Sequence, residues 1–281
     1  MSLRECSDRW DTPEVTWSTP ARESDTLDLS RATTAVVLAA GAGTRLRATT
    51  GNGDLPKPLT PVAGTPLIAR TLRTLRRQGI DRAIVVTGYA AATVETCLRG
   101  MDEWAGLDIQ FARNPAWQRQ NGISVLAARD LTNGAPFLLT MADHVYSGSI
   151  VAALRACPAD GAAAVLAVER RLREVRDIDD ATRVRTGAGG RIREIAKGLA
   201  EFDAVDTGVF LCRPALFDAL EEEQAERGGD CSLSDGIRRL ARQGRALTVD
   251  IPADAWWQDV DTLDDLQFAE LRLAEPLARA N

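Results

Sequence analysis

Short, almost unbroken apolar runs alternate along the first 170 residues with stretches in which apolar positions recur every three or four residues. The runs Thr34 to Ala40 (TAVVLAA), Ala83 to Thr87 (AIVVT), Leu107 to Ala112, Pro136 to Met141 (PFLLTM) and Ala162 to Val168 predict buried strands. Over 66–78, Leu67, Ile68, Leu72 and Leu75 share one face with arginines opposite, Pro66 at the start and Gly79 after the end. That pattern predicts an amphipathic helix punctuated at both ends. Further helices are expected over 90–98, 123–131 and 149–156. Strands alternating with helices of this length imply an α/β fold with a doubly wound, parallel sheet.

After about residue 170 the rhythm changes. Strands are expected at 183–186, 191–195 and 205–211 around Gly187, Gly189 and Gly190, then helices over 214–225 and 234–243 and a strand over 246–251. A last helix starts at Thr262, where Asp265 three residues on forms a capping pair. These added strands make the expected sheet mixed. Residues 1–30 hold three arginines against seven acids with no sustained period, so an acidic, flexible leader is expected, with Trp10 and Trp17 as the residues that would dock it. Residues 31–281 are expected to form a single domain.

Composition narrows the class. The 281 residues carry a net charge of −6, with 45% hydrophobic and 26% charged residues, which is enough apolar material for a sizeable core. An acidic balance argues against general nucleic-acid binding. No apolar stretch reaches the length of a membrane span, and the charged N-terminus lacks a secretory signal's apolar centre. The cysteines, Cys6, Cys97, Cys157, Cys212 and Cys231, include no CxxC pair, so reduced thiols in a cytoplasmic protein are expected. Only two of the 34 basic residues are lysines, Lys57 and Lys197, and there is one histidine, His144. Where arginine has replaced lysine almost everywhere, a surviving lysine marks a place needing a compact point charge.

The first strand runs into Leu38-Ala39-Ala40-Gly41-Ala42-Gly43-Thr44-Arg45-Leu46, followed by Leu55-Pro56-Lys57-Pro58-Leu59. In open α/β sheets ligands bind beyond the carboxyl ends of strands, where this loop falls. Its glycines admit main-chain N–H groups to phosphate oxygens, and Arg45 and Lys57 supply full positive charge. The Gly-Lys-Ser/Thr of a Walker loop does not occur. The dinucleotide fingerprint fails at Leu46 and lacks a ribose-binding acid, which counts against a nicotinamide oxidoreductase. The strand over 136–141 leads into Asp143, placed for a cation that bridges phosphate oxygens. Near the C-terminus, Asp259 and Asp261 alternate onto one face of a strand-like segment. Asp261 also suits a helix cap. Hard oxygen donors favour Mg²⁺ over zinc.

The order Gly-x-Gly-Thr-Arg followed by Pro-Lys-Pro-Leu resembles the sugar-phosphate nucleotidyltransferase superfamily. Asn121-Gly122-Ile123-Ser124, Asp143-His144-Val145-Tyr146, Lys197-Gly198 with Val205-Asp206-Thr207-Gly208, and Trp257 to Thr262 narrow the likeness to the cytidylyltransferase domain that makes CDP-inositol from CTP and inositol 1-phosphate. The resemblance covers roughly residues 33–275 and implies a Rossmann-like, nucleotide-diphospho-sugar transferase fold. Its nucleotide-binding half would be 31–170 and its acceptor-binding half 171–281. It also implies roles. Arg45, Lys57 and Lys197 would be catalytic. Leu38, Ala39, Ala40, Gly41, Ala42, Gly43, Thr44, Asn121, Gly122, Ser124 and Asp143 would bind nucleotide, and Asp143 with Asp259 or Asp261 would hold Mg²⁺. His144, Lys197, Asp206, Thr207 and Gly208 would meet the acceptor. Asn121 also reads as a helix start, His144 as a residue that orients Asp143, and Lys197 as a surface lysine. In the family this domain is often fused to a membrane-bound alcohol phosphotransferase, and this chain resembles that one half alone. The acceptor could accordingly be another phosphate or a phosphonate. A catalytically silent nucleotide-sugar sensor of the same fold is the alternative of a different class.

Overall fold

The apolar runs at 34–39, 83–87, 137–140 and 164–168 are buried within one sheet, whereas 108–113 forms its half-exposed edge. In the computed structural model, which describes residues 28–50 and 55–274, the first half contains β1 (Thr34–Ala39), α1 (Thr44–Thr50), β2 (Pro61–Val62), β3 (Thr65–Pro66), α2 (Leu67–Arg77), β4 (Arg82–Thr87), α3 (Ala91–Arg99) and β5 (Asp108–Arg113). It continues through α4 (Asn121–Leu126), β6 (Phe137–Met141), β7 (His144–Tyr146) and α5 (Ser149–Ala156). The second half adds β8 (Ala164–Glu169), β9 (Thr182–Thr186), β10 (Ile192–Lys197), β11 (Ala204–Cys212), α6 (Ala215–Glu226), α7 (Leu233–Arg242), β12 (Ala246–Asp250), β13 (Trp257–Asp259) and α8 (Leu263–Ala274).

The main sheet runs β10-β9-β11-β6-β1-β4-β5, with β8 joined to β11 and β12 joined to β8. Strand β1 pairs in parallel with β4 and β6, and β5 continues the parallel set, whereas β11 lies antiparallel to β6. All six residues of β1 are buried. Val36 and Leu38 face one apolar cluster with Ile84 and Phe210, while Ala35, Val37 and Ala39 face another with Leu72, Leu75 and Ile150. Burial on both sides explains why the strand reads as a continuous apolar run rather than an alternation. Strands of the two expected halves therefore share one mixed sheet, as the sequence pattern predicts.

Four departures matter. The helix expected over 123–131 stops at Leu126, and a separate 3-10 turn spans Asp130–Thr132. There the Thr132 hydroxyl donates to the Arg129 carbonyl and Asn133 takes a left-handed φ of 52°, local bonding that competes with helix. A two-stranded ribbon, β7 with β13, was not foreseen as a pair; it sets Asp259 opposite His144. Strand β11 shifts register against β8 between Asp206 and Phe210, where Gly208 has φ 74°. Before this bulge the strand pairs with β9, and after it with β6. The ordered body also begins earlier than Ala32, since Leu29 is buried in a 3-10 turn spanning Leu29–Arg31. The rest of the predicted leader, residues 1–27 with Cys6, Trp10 and Trp17, lies outside the described residues. No described helix is long and apolar enough to cross a membrane.

Candidate active site

Beyond the carboxyl end of β1 the chain turns through Gly41 and Gly43 into α1. Gly43 has φ 59°, and a Cβ there would stand 2.3 Å from Lys57 Cβ, so the glycine lets Lys57 lie against the loop. Lys57 is held in a 3-10 turn, Lys57–Leu59, between two prolines and is only 5% exposed. Its Nζ donates to Asp143 Oδ2 and to Asp261 Oδ1, each at 2.6 Å, and lies 3.6 Å from Asp259 Oδ1. Burial alone would strip its proton. The three carboxylates outweigh burial and hold the ammonium pKa above the usual lysine range.

Those carboxylates come from two places. Asp143 follows β6, while Asp259 ends β13 and Asp261 lies just beyond it. The β7–β13 ribbon brings the two together. His144 Nδ1 is 2.9 Å from Asp143 Oδ1 and 3.8 Å from Asp259 Oδ1. Its ring stacks on Trp257 at 6.2 Å between centroids. Burial opposes charge on His144, yet Asp259 and Asp143 raise its pKa to about 9, so at neutral pH it is an imidazolium donating to Asp143. Burial also works against the Asp143 carboxylate, but Lys57 and His144 hold its pKa well below the ordinary range. Asp259 is pushed up to about 6, by burial first and by its acidic neighbours.

Asp143, His144 and Asp259 each turn one ligand atom to within 4.8 Å of the others. Asp259 Oδ1 is buried without a hydrogen-bond partner, the condition of an oxygen waiting for a cation. The two carboxylates offer a hard divalent ion the oxygens it prefers, while His144, its Nδ1–H given to Asp143, orients that carboxylate rather than ligating. Asp261 stands outside the group; its two oxygens accept from Lys57 and from Arg45 Nη2.

A cleft of about 620 Å³ opens in front of this knot. Leu38, Ala40, Gly41, Asn121, Ser124 and Asp143 line it from the loop side. Ala39, Gly43, Thr44, Arg45 and Lys57 line an adjoining recess of about 250 Å³. From the far side the cleft receives His144, Lys197, Asp206 and Gly208. Gly208 belongs here on steric grounds, since a Cβ would meet the His144 ring at 2.6 Å. Asp206 Oδ1 accepts the Gly208 N–H at 2.7 Å, and burial pushes its carboxyl up to about 6.

Two residues expected at the site face elsewhere. Thr207 is fully buried and donates to the Ala167 carbonyl, facing the core rather than the cleft. Gly122 serves packing, because a Cβ would approach the Cys231 carbonyl to 2.5 Å. Ala42 stays in the loop between Gly41 and Gly43, which line the cleft and the recess. Asn121 caps a helix other than its own, with Oδ1 accepting the Leu233 N–H at 2.8 Å. Ser124 Oγ is engaged by Asn114 Nδ2 at 2.9 Å. Asp180, which bonds both Arg45 and Lys197, was missed; in the acid-rich stretch 177–180 nothing local separates it from a surface carboxylate.

A cleft beyond parallel strand ends, with main-chain amides and cations at one end, defines a nucleotide-handling α/β enzyme. The chain belongs to the family of the MobA-like NTP transferase domain, whose model matches residues 35–246, and it is a nucleotidyltransferase. It is 39% identical over 241 residues to the bifunctional IPC transferase and DIPP synthase of Rubrobacter xylanophilus, covering 84% of this chain and 51% of that protein. It is 33% identical over 259 residues to the CMP-5'-(3-aminopropyl)phosphonate synthase of Streptomyces rubellomurinus, covering 86% of this chain and 39% of that one. The chain thus spans only 51% and 39% of the length of these two relatives. The solved structure of the inositol-1-phosphate CTP transferase from T. maritima shares its fold, with a TM-score of 0.73, 24% identity, and coverage of 87% and 97% of the two chains.

Proposed function

We propose that the protein couples CTP to a small polyol phosphate, inositol 1-phosphate first among them, giving a CDP-alcohol and pyrophosphate. The observation that carries this reading is Lys57, buried among three carboxylates in the recess beside the cleft, with Lys197 lining the cleft itself. An oxygen of the acceptor phosphate attacks the α-phosphorus of CTP, and the bond to pyrophosphate breaks. The acceptor phosphate is already an anion, so no general base is required, and His144, occupied by Asp143, need not act as one. What the reaction needs is alignment of two groups that repel each other. The amides of the loop from Gly41 to Gly43, with Arg45 and Lys57, hold the β- and γ-phosphates, and Lys197 directs the acceptor phosphate. Asp143 and Asp259 are the ligands we assign to Mg²⁺, in preference to Asp261. An ion held there would supply positive charge that offsets the repulsion between the two phosphates.

The relative named for a phosphonate product supports a second acceptor class, the alkylphosphonates. The CTP substrate and the unbonded thiols of Cys97, Cys157, Cys212 and Cys231 support a cytoplasmic setting. The test is pyrophosphate release from CTP and Mg²⁺ with inositol 1-phosphate, 3-aminopropylphosphonate, phosphocholine and glucose 1-phosphate, with products identified by mass spectrometry. Inositol 1-phosphate is expected to give the highest kcat/KM. Turnover with UTP and glucose 1-phosphate alone would overturn the assignment.

A further inference from the structure

The two cations assigned to different phosphates meet on one carboxylate. Asp180, in the loop between β8 and β9, accepts from Lys197 Nζ at 2.7 Å through Oδ1 and from Arg45 Nη1 at 2.8 Å through Oδ2. The turn that presents it is fixed by Asp177, whose Oδ1 accepts the Asp180 N–H at 3.1 Å. Lys197 and, less strongly, Arg45 hold the Asp180 carboxyl below its usual range. Asp180 is not one of the carboxylates grouped for a cation. Two acidic oxygens, each facing its own cation, reproduce what phosphoryl oxygens offer to the same pair.

We propose that Asp180 holds, in the unliganded protein, the places that phosphoryl oxygens of the two substrates take on Arg45 and on Lys197, and that the substrates displace it. The inference rests on the assignment of those two cations under the proposed function. The exchange is easy because all three side chains reach solvent, at 52% for Arg45, 38% for Asp180 and 60% for Lys197, and exposed ion pairs are weak. It also couples the two substrates. Once a nucleotide phosphate takes Arg45, Asp180 retains one cation instead of two, and the acceptor phosphate displaces it from Lys197 more readily. By linkage the acceptor favours the nucleotide equally.

Calorimetric titration of the full chain with inorganic phosphate tests this without any turnover. Asp180→Asn and Asp180→Ser are expected to bind phosphate roughly three- to tenfold more tightly than the parent, as loss of a weak competing pair implies. The gain should vanish when Lys197→Ala or Arg45→Ala is added. In the pyrophosphate assay the acceptor KM should fall by a similar factor, whereas a merely structural Asp180 would raise it. Phosphate affinity unchanged or weakened in both variants overturns the proposal, as does failure of both to fold. A parent that binds phosphate with this dependence yet makes no CDP product with any acceptor overturns the proposed function and leaves the exchange at Asp180 standing.

Discussion

Both lysines of this chain are bound to aspartates, yet they sit in opposite physical settings. The side chain of Lys57 is 7% exposed and shared by Asp143, Asp259 and Asp261, while that of Lys197 is 60% exposed and, among the described residues, held by Asp180 alone. A buried ammonium exists only because its partners are present, and those partners depend on it equally. An exposed one trades partners with water or substrate at little cost. The first arrangement is a permanent part of the fold that also carries chemistry, and the second is a contact made to be exchanged.

The largest effect should therefore come from Lys57→Met. It leaves three carboxylates facing one another without their cation, a loss of about 3–5 kcal/mol for a broken buried pair. Turnover should fall by on the order of 10²–10³ or more, as for removal of one transition-state charge. Thermal unfolding reads the first and pyrophosphate release the second. A variant that melts with the parent and turns over within a few-fold of it would remove the basis of the comparison.

Glycines beside the two lysines' sites sharpen it. Gly208 has φ 74° and a Cβ would strike the His144 ring, whereas Gly198, next to Lys197, has φ 76° and nothing within 4 Å of a Cβ. Gly208→Ala should cost roughly 3 kcal/mol, combining backbone strain with a displaced imidazolium. Gly198→Ala should cost only the strain, roughly 1 kcal/mol. Equal losses in chemical denaturation would mean that His144 is not confined as described.

How much of this the chain announces follows the same division. The glycine loop, Lys57 and Asp143 are legible because the signals are local: a strand, a turn and a charge within about twenty residues. The cleft wall on the other side is set by long-range pairing. An uninterrupted strand over 205–211 puts Asp206 and Gly208 on one face and Thr207 on the other, so the three cannot all face a ligand. The bulge settles the matter, leaving Asp206 and Gly208 at the cleft and Thr207 in the core. Gly122 looked like part of a binding turn, but its missing side chain makes room for the loop before α7. Asp180 gains its role only when α1 and the β8–β9 loop meet.

Asp206 gives a pH test. Burial lifts its carboxyl from 3.8 to about 6, with the Gly208 N–H and His144 pulling the other way. The folded protein therefore holds this proton more tightly than the unfolded chain, and this group's contribution costs stability as pH rises from about 4 to 6. Above that range the cost is fully present. Asp206→Asn keeps an acceptor for the Gly208 N–H and removes the ionisation. It should melt higher than the parent at pH 7–8 by on the order of 2 kcal/mol, with the advantage gone near pH 4. A difference independent of pH would show that the gain has another source.

Lys197→Met is the smallest perturbation of the fold and the most selective for function. Losing an exposed pair should change stability by no more than about 0.5 kcal/mol. Under the proposed function it should raise the acceptor KM by roughly tenfold, the worth of one charge-assisted bond to phosphate, with the CTP KM nearly unchanged. Salt supplies the decisive contrast between the two lysines. At high ionic strength the parent's advantage over Lys197→Met should shrink, because screening acts on charges that reach water. The penalty of Lys57→Met should persist, because the ammonium it removes is itself withdrawn from water. If both penalties faded together with added salt, the two sites would belong to one electrostatic class, and the distinction between a fixed knot and an exchangeable contact would have to be given up.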